Sequence, residues 1–306
     1  MLTVSSHHDL KTALSGIRGE VVFDAPLAAV TSLGIGGPAD ALVSPEDVHD
    51  VCRIVRQAQT ARIPIMVLGG TNLLVQDGGI RGIVLSLANL AAIEMEDTRL
   101  VFAEAGVRMP VLLGFAVHHG LSGLEWAAGI PGTVGGAVVM NAGTKLGEMQ
   151  DCLDAIQMVD PEGRLVTHAA ADVGFAYRSV SLPEGVVVGA WLRLTPASRE
   201  TIDSRTKSYL QYRKQSQPLS QPNAGSVFKN PQGTTAGRLI EDAGLKGYRV
   251  GDAQVSTKHA NFIVNLGRAR SADVLQLIET IQREVSQQTG IMLELEWKVV
   301  GESEVP

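Results

Sequence analysis

The chain has 306 residues, a length at which two or three domains are expected. Hydrophobic residues make up 45% and charged residues 19%, which excludes a disordered chain, and the 33 glycines show no triplet period, which excludes collagen. The net charge of −6, with no Lys/Arg cluster, argues against a nucleic-acid partner, and no run approaches the roughly 18 uncharged apolar residues of a membrane span.

Residues 1–20 carry charges throughout, lack the apolar stretch of a signal peptide and read as a short helix and tail. Residues 26–32 read as a loop and 41–43 as a strand. Ser44 is the candidate cap of a helix with Pro45 in its first turn and Val48, Val51, Cys52, Val55 and Ala58 on its buried stripe. Residues 65–68 and 83–87 are short apolar strands separated by an Asp77-Gly78-Gly79 turn. Residues 100–105 follow as a strand and 110–118 as a helix. Strands at 155–159 and 164–167 form a hairpin, and 186–194 is a long strand, so a strand-rich middle domain runs from about 88 to 197. Residues 199–215 form a polar helix anchored by Ile202, Tyr209 and Leu210, leading to a turn at 223–231. A short helix at 236–243 ends at Gly244, and 262–264 is a strand. Ser271 caps a helix to about Thr289 with Val274, Leu277, Ile278, Ile281 and Val285 on its apolar face; Gly290 ends it, and 291–300 is the last strand.

Three glycine-rich turns punctuate this order. Gly69-Gly70-Thr71-Asn72 follows a strand directly and offers main-chain amides to a pyrophosphate, or it is a tight structural turn. It is neither a P-loop nor a Gly-x-Gly-x-x-Gly fingerprint. Gly34-Ile35-Gly36-Gly37 is closer to that fingerprint but is not bracketed by a strand-helix unit. Gly129-Ile130-Pro131-Gly132-Thr133-Val134-Gly135-Gly136 puts four glycines in eight residues, as a backbone passing close to a flat ring would require.

Ser226 lies between Gly225 and Val227, outside any nucleophile elbow, and is a candidate nucleophile, proton donor or plain turn residue. Lys229 could neutralise a substrate phosphate or carboxylate. Glu294 and Glu296 share one strand face, so either could be an acid. Tyr177, Arg178, Arg213 and Lys214 could form an anion site, or simple surface links. His259 has no spaced partners, Cys52 and Cys152 belong to no metal-spaced set, and no metal is expected.

The ordered motifs together resemble the UDP-N-acetylenolpyruvoylglucosamine reductase family in its short, type II form. The resemblance is carried by 31–39 (TSLGIGGPA), 67–75 (VLGGTNLLV), 129–136 (GIPGTVGG), 175–179 (FAYRS), Gln217-Pro218, 225–231 (GSVFKNP), 236–241 (AGRLIE), 259–265 (HANFIVN) and 293–296 (LELE), across roughly residues 25–300. It implies an α+β chain with the FAD-binding fold of the vanillyl-alcohol-oxidase type. Two flavin-binding subdomains, 1–87 joined by 290–306 and then 88–197, would accompany a separate α+β substrate-binding domain at 198–289.

The resemblance further implies a cytoplasmic, monomeric oxidoreductase of peptidoglycan precursor synthesis, using FAD with NADPH as reductant on a UDP-sugar. Hydride would pass from flavin N5 to C3 of the enolpyruvyl group. Ser226 would protonate C2, with Arg178 and Glu296 stabilising the enolate-like intermediate. The implied FAD contacts are Gly36, Gly37, Leu68, Gly69, Gly70, Thr71, Asn72, Leu73, Ala128, Gly129, Ile130, Pro131, Gly132, Thr133, Gly135, Gly136, Ala137 and Val187. The implied substrate or nicotinamide contacts are Tyr177, Arg213, Gln217, Asn223, Gly225, Lys229 and His259. The chain departs from the family at Gly34, where arginine is frequent, at Thr71 for serine, and at Trp297-Lys298 for Val-Arg. Rival readings are a flavoenzyme of the same fold with covalently bound flavin, for which 69–75 offers no His or Cys, and a non-catalytic nucleotide-sugar binder.

Overall fold

A computed structural model describes residues 7–304; the expectation for residues 1–6 lies outside the described residues. The chain divides into two compact units. The first holds 7–23, Ala41–Gly69 and Gly82–Tyr212, and the second holds Asp24–Asp40, Gly70–Arg81 and 213–304.

The first unit has two apolar clusters. One gathers Val51, Ile54, Val55 and Ala58 of the helix Val48–Ala61 with Leu10, Val43, Ile83 and Leu85. The strands Ile65–Val67 and Ile80–Leu85 pair there in parallel, Ile65 opposite Ile83. The helix does not begin at Ser44, which ends the strand Pro38–Ser44. Asp47 is the cap, its carboxylate accepting from the Asp50 amide at 3.0 Å. Fully buried Asp50 explains the shift, because its carboxylate accepts from the amides of Arg18, Gly19 and Glu46 and holds that loop out of the helix.

The other cluster lies against a five-stranded antiparallel sheet of order Leu165–Ala169, Leu153–Val159, Val186–Arg193, Leu100–Glu104, Ile93–Met95. The expected hairpin is there, Val159 opposite Leu165. The helix Met109–His118 adds Met109, Leu112, Leu113 and Ala116 to this core. The polar helix Arg199–Ser216 buries Ile202 and half-buries Tyr209 and Leu210.

The second unit is built on a four-stranded antiparallel sheet of order Asn223–Ser226, Phe262–Asn265, Ala253–Val255, Arg249–Val250. The helix Ser271–Thr289 packs Val274, Leu277, Ile278, Ile281 and Val285 into the same cluster as Phe228 and Ile263. It ends at Gly290, whose φ of 74° is left-handed. Ser271 is the first helical residue rather than the cap. Its hydroxyl accepts from the Asp77 amide at 3.0 Å, while Asp273 caps the amide of Arg270 at 2.9 Å. The final strand is shorter than expected, only Lys298–Val300, and pairs in parallel with Leu73–Val75. Residues 291–297 belong to no strand: Leu295 bridges Phe228, and the segment is tied down by bonds such as that from the Lys229 amide to Glu294 O at 2.9 Å.

Candidate active site

Ser226 ends a strand rather than sitting in an open turn. The strand Asn223–Ser226 pairs with Phe262–Asn265 through a bulge, and Gly225 inside it has a φ of 84°. A Cβ at Gly225 would meet nothing within 4 Å, so glycine is there for its backbone angle and not for space. Beyond the serine the chain is clamped on both sides. Val227 donates its amide to Asn261 O at 2.9 Å, and Val227 O accepts from the Glu296 amide at 2.8 Å. Asn261, 3% exposed, copies a strand partner with its side chain. Its Oδ1 accepts from the Phe228 amide at 3.0 Å and its Nδ2 donates to Phe228 O at 2.8 Å. This lock was missed in the sequence, where the signal was an asparagine inside an apolar run.

The two glutamates part company. Glu294 is exposed and its carboxylate takes the Lys229 ammonium, an ion pair at the surface. Glu296 is half-buried, and its main chain is fixed at both ends. Its amide bonds Val227, and its carbonyl accepts from Asn72 Nδ2 at 3.0 Å. Asn72 itself has a left-handed φ of 56°, and its carbonyl accepts from the Lys298 amide. The second unit therefore ties together Ser226-Val227, Glu296 and Asn72, through a main-chain bond from Glu296 to Val227 and a side-chain bond from Asn72 to the Glu296 carbonyl. Trp297 follows as a 3% exposed anchor whose Nε1 has no partner among the described residues.

Around them, Asn223 orders the entry to the strand. Its Nδ2 donates to Gln221 O at 2.7 Å and Pro218 O at 3.2 Å, and its Oδ1 accepts from the Gly225 amide at 3.0 Å. Arg213 directs Nε and Nη2 at Gln217 Oε1, at 3.0 and 2.9 Å. Burial pulls its guanidinium below the ordinary arginine value. His259 is held below the ordinary histidine value, first by burial and then by the charge of Lys246; its Nδ1 accepts from the Asn261 amide at 3.2 Å. His259 lines a cavity of about 340 Å³ with Asn230, Thr235, Arg238 and Lys258.

Arg178 and Tyr177 belong to the first unit and form the two-residue tip of the hairpin Gly174–Ala176 and Ser179–Ser181. Arg178 has a left-handed φ of 56°, unusual for a side chain of its size. Its guanidinium donates from Nη2 to Gly143 O at 2.5 Å and from Nη1 to Asn141 O at 3.4 Å, and lies 5.1 Å from the ring centre of Tyr177.

The glycine turns divide by their reasons. In the second unit Gly37 is required by packing, since a Cβ would strike the Asp77 carbonyl, and Gly36 sits left of it at φ 149° against Val75. Gly34, where the family often has arginine, has a left-handed φ of 67°. In the first unit Gly129 and Gly132 have φ of 74° and 98°, and Gly135 packs on Ala105. Gly69 differs: its virtual Cβ lies 3.9 Å from Gly136 Cα, so two turns approach with both backbones bare. Gly136 is half-exposed at the start of the helix Val134–Val139, whose cap Thr133 points Oγ1 at its amide. Leu68 donates its amide to Leu85 O, and Ala128, Ala137 and Val187 are buried beneath. Ile130 and Thr133 are half-buried, and Pro131 is exposed. Gly70 has a φ of 72°, Thr71 is half-buried, and Leu73 begins the strand beside Lys298. Within the first unit, the bare backbone at Gly69 and Gly136 and the amides beside Thr133 offer uncharged donors of the kind that suit a pyrophosphate and a flat ring such as those of FAD.

Comparison with known proteins agrees with that fit. Residues 39–169 match the FAD binding domain family, and residues 217–300 match the C-terminal domain of UDP-N-acetylenolpyruvoylglucosamine reductase. The reductase of Syntrophus aciditrophicus is 46% identical over 294 residues, 94% of each chain. The chain belongs to the UDP-N-acetylenolpyruvoylglucosamine reductase family. The reductase of Caldanaerobacter subterraneus is 42% identical, over 93% of this chain and 95% of its own. The crystal structure of the Thermus caldophilus reductase superposes with a TM-score of 0.81 at 42% identity, covering 93% of this chain and all of the other. The α+β, FAD-binding fold of the vanillyl-alcohol-oxidase type and the identity as an FAD-dependent oxidoreductase of peptidoglycan synthesis stand on these matches. No helix among the described residues is long and apolar enough to cross a membrane.

Proposed function

We propose that this chain reduces UDP-N-acetylglucosamine enolpyruvate to UDP-N-acetylmuramic acid with NADPH as the electron source. The reading is carried by the hydrogen-bond network that joins Ser226-Val227, Glu296 and Asn72, set in a chain 46% identical to a UDP-N-acetylenolpyruvoylglucosamine reductase. FAD, held by the glycine turns, would supply the two-electron hydride chemistry that couples NADPH oxidation to reduction of the enolpyruvyl group at C3. Ser226 gives the proton to C2, and its place at a clamped strand end fixes the backbone from which its side chain springs. Arg178 meets the negative charge that builds toward the substrate carboxylate, and two carbonyl oxygens hold its guanidinium in one orientation beforehand. Glu296 completes the set in preference to Glu294, which is occupied by Lys229.

Arg213, Gln217, Asn223, Gly225, Lys229, His259 and Tyr177 serve substrate and nicotinamide binding. Leu68, Gly69, 128–137 and Val187 of the first unit, with Gly36, Gly37 and 70–73 of the second, hold FAD. The two separate apolar clusters of the first unit support its reading as two flavin-binding halves.

The experiment is anaerobic. FAD-loaded protein is bleached with NADPH, then given UDP-N-acetylglucosamine enolpyruvate while flavin absorbance is followed. Recovery of colour with UDP-N-acetylmuramic acid formed is expected. Bleaching without recovery would assign a different acceptor, and a protein that takes up no FAD would overturn the reading. Ser226→Ala should leave bleaching intact and slow recovery by about 100-fold or more; unchanged recovery would remove Ser226 as the acid.

A further inference from the structure

Asn141 is a polar residue with no exposed surface at all, just beyond the helix Val134–Val139 and its capping residue Met140. Its φ of 40° is left-handed, and its amide donates to Val138 O at 3.0 Å. Those two features suffice to end a helix, and neither needs the side chain. A carboxamide buried for no purpose is costly, so its partners are informative. Nδ2 donates to Ala176 O at 3.3 Å, and Oδ1 accepts from the Gln150 amide at 3.0 Å. This pair of bonds, one donated and one accepted, settles the orientation of the amide.

Ala176 is the last strand residue before the Tyr177-Arg178 tip. The Asn141 carbonyl in turn accepts from Arg178 Nη1, and Gly143, two residues on, accepts from Nη2. One buried residue thus grips the arginine hairpin at its backbone and at its guanidinium. A hairpin with three-residue strands cannot hold its own tip, and an arginine side chain is long and mobile. We propose that Asn141 is a positioning residue for Arg178, fixing the guanidinium where the substrate carboxylate is met. The proposal rests on the role assigned to Arg178 above.

Asn141→Gly tests it, because glycine keeps the left-handed backbone and the carbonyl while removing the carboxamide. The variant is expected to bind FAD and to be bleached by NADPH within about twofold of the parent rate, while recovery with the enolpyruvyl substrate slows about 10- to 100-fold, as for a misplaced group. Asn141→Ser, smaller and uncharged, loses the reach to Ala176 O without burying a charge; with FAD content and melting temperature recorded for both variants, it guards against a folding failure and should slow the same step alone. In an Arg178→Ala background, Asn141→Gly should slow recovery no further, since the effect passes through the arginine. Equal slowing of both half-reactions, normal recovery in either Asn141 variant, or a loss that adds fully to that of Arg178→Ala would each overturn the proposal. If Arg178→Ala alone recovers at the parent rate, the fault lies in the role given to Arg178, and the proposal falls with it.

Discussion

Replacing Asn261 by leucine tests the lock behind Ser226. The change keeps the branched heavy-atom shape, in a larger side chain, and removes both side-chain bonds to the main chain of Phe228, a residue 1% exposed. Two buried main-chain groups are left without partners, and each such orphan costs about 1–3 kcal/mol, so about 2–6 kcal/mol is expected. At about 2–4 °C per kcal/mol for a domain-sized unit, the apparent Tm should fall by about 4–24 °C. Asn261→Asp keeps an acceptor for the Phe228 amide but sets a buried carboxyl against Phe228 O, so it should not melt higher than the leucine variant at neutral pH. Tryptophan fluorescence is the assay, because Trp297 sits in the same apolar cluster as Phe228. A shift of less than about 2 °C for the leucine variant would show that Phe228 finds other partners, and the account of how the strand end is clamped would be wrong.

Gly37→Ala should lower the apparent Tm sharply, by the equivalent of about 3 kcal/mol, because its Cβ meets the main chain of Asp77 and Gly79. Gly233→Ala, at φ 80° with open space around it, should cost only about 1 kcal/mol, and equal effects would discount the collision. His259 is depressed from its ordinary value of 6.5, so the unfolded chain takes up the proton first and stability declines as pH falls below about 6.5, down to the folded value. His259→Gln should flatten denaturation midpoints across that window; an unchanged slope would clear His259 of the effect. Burial pushes the Cys152 thiol up to about 12, so a thiol reagent at pH 8 should label it only after denaturation, and labelling of the native protein would contradict its buried position.

Much of the architecture was readable along the chain because it is written in local periodicity. The helix ending at Gly290, the hairpin of 153–159 with 165–169 and the helix Met109–His118 each depend on neighbours in sequence. Caps were less legible. Ser44 and Ser271 have the right chemistry at nearly the right place, yet Asp47 and Arg270 occupy the cap positions. Buried Asp50 reorganises one loop, and the Asp77 turn captures the hydroxyl of Ser271.

By itself the sequence determined the kind of protein. The order of its glycine turns and of the segments around Arg178, Ser226 and Glu296 suffices to name the family, because such an order arises from shared ancestry and needs no contact to be seen. Tertiary structure alone decided that Glu294 pairs with Lys229, that Ser226 ends a strand, and that Asn141 and Asn261 bond the main chain at Ala176 and Phe228. Those partners lie between 33 and 65 residues apart in the chain. No local pattern records them, since an asparagine buried against a distant main chain carries the same letter as one in solvent.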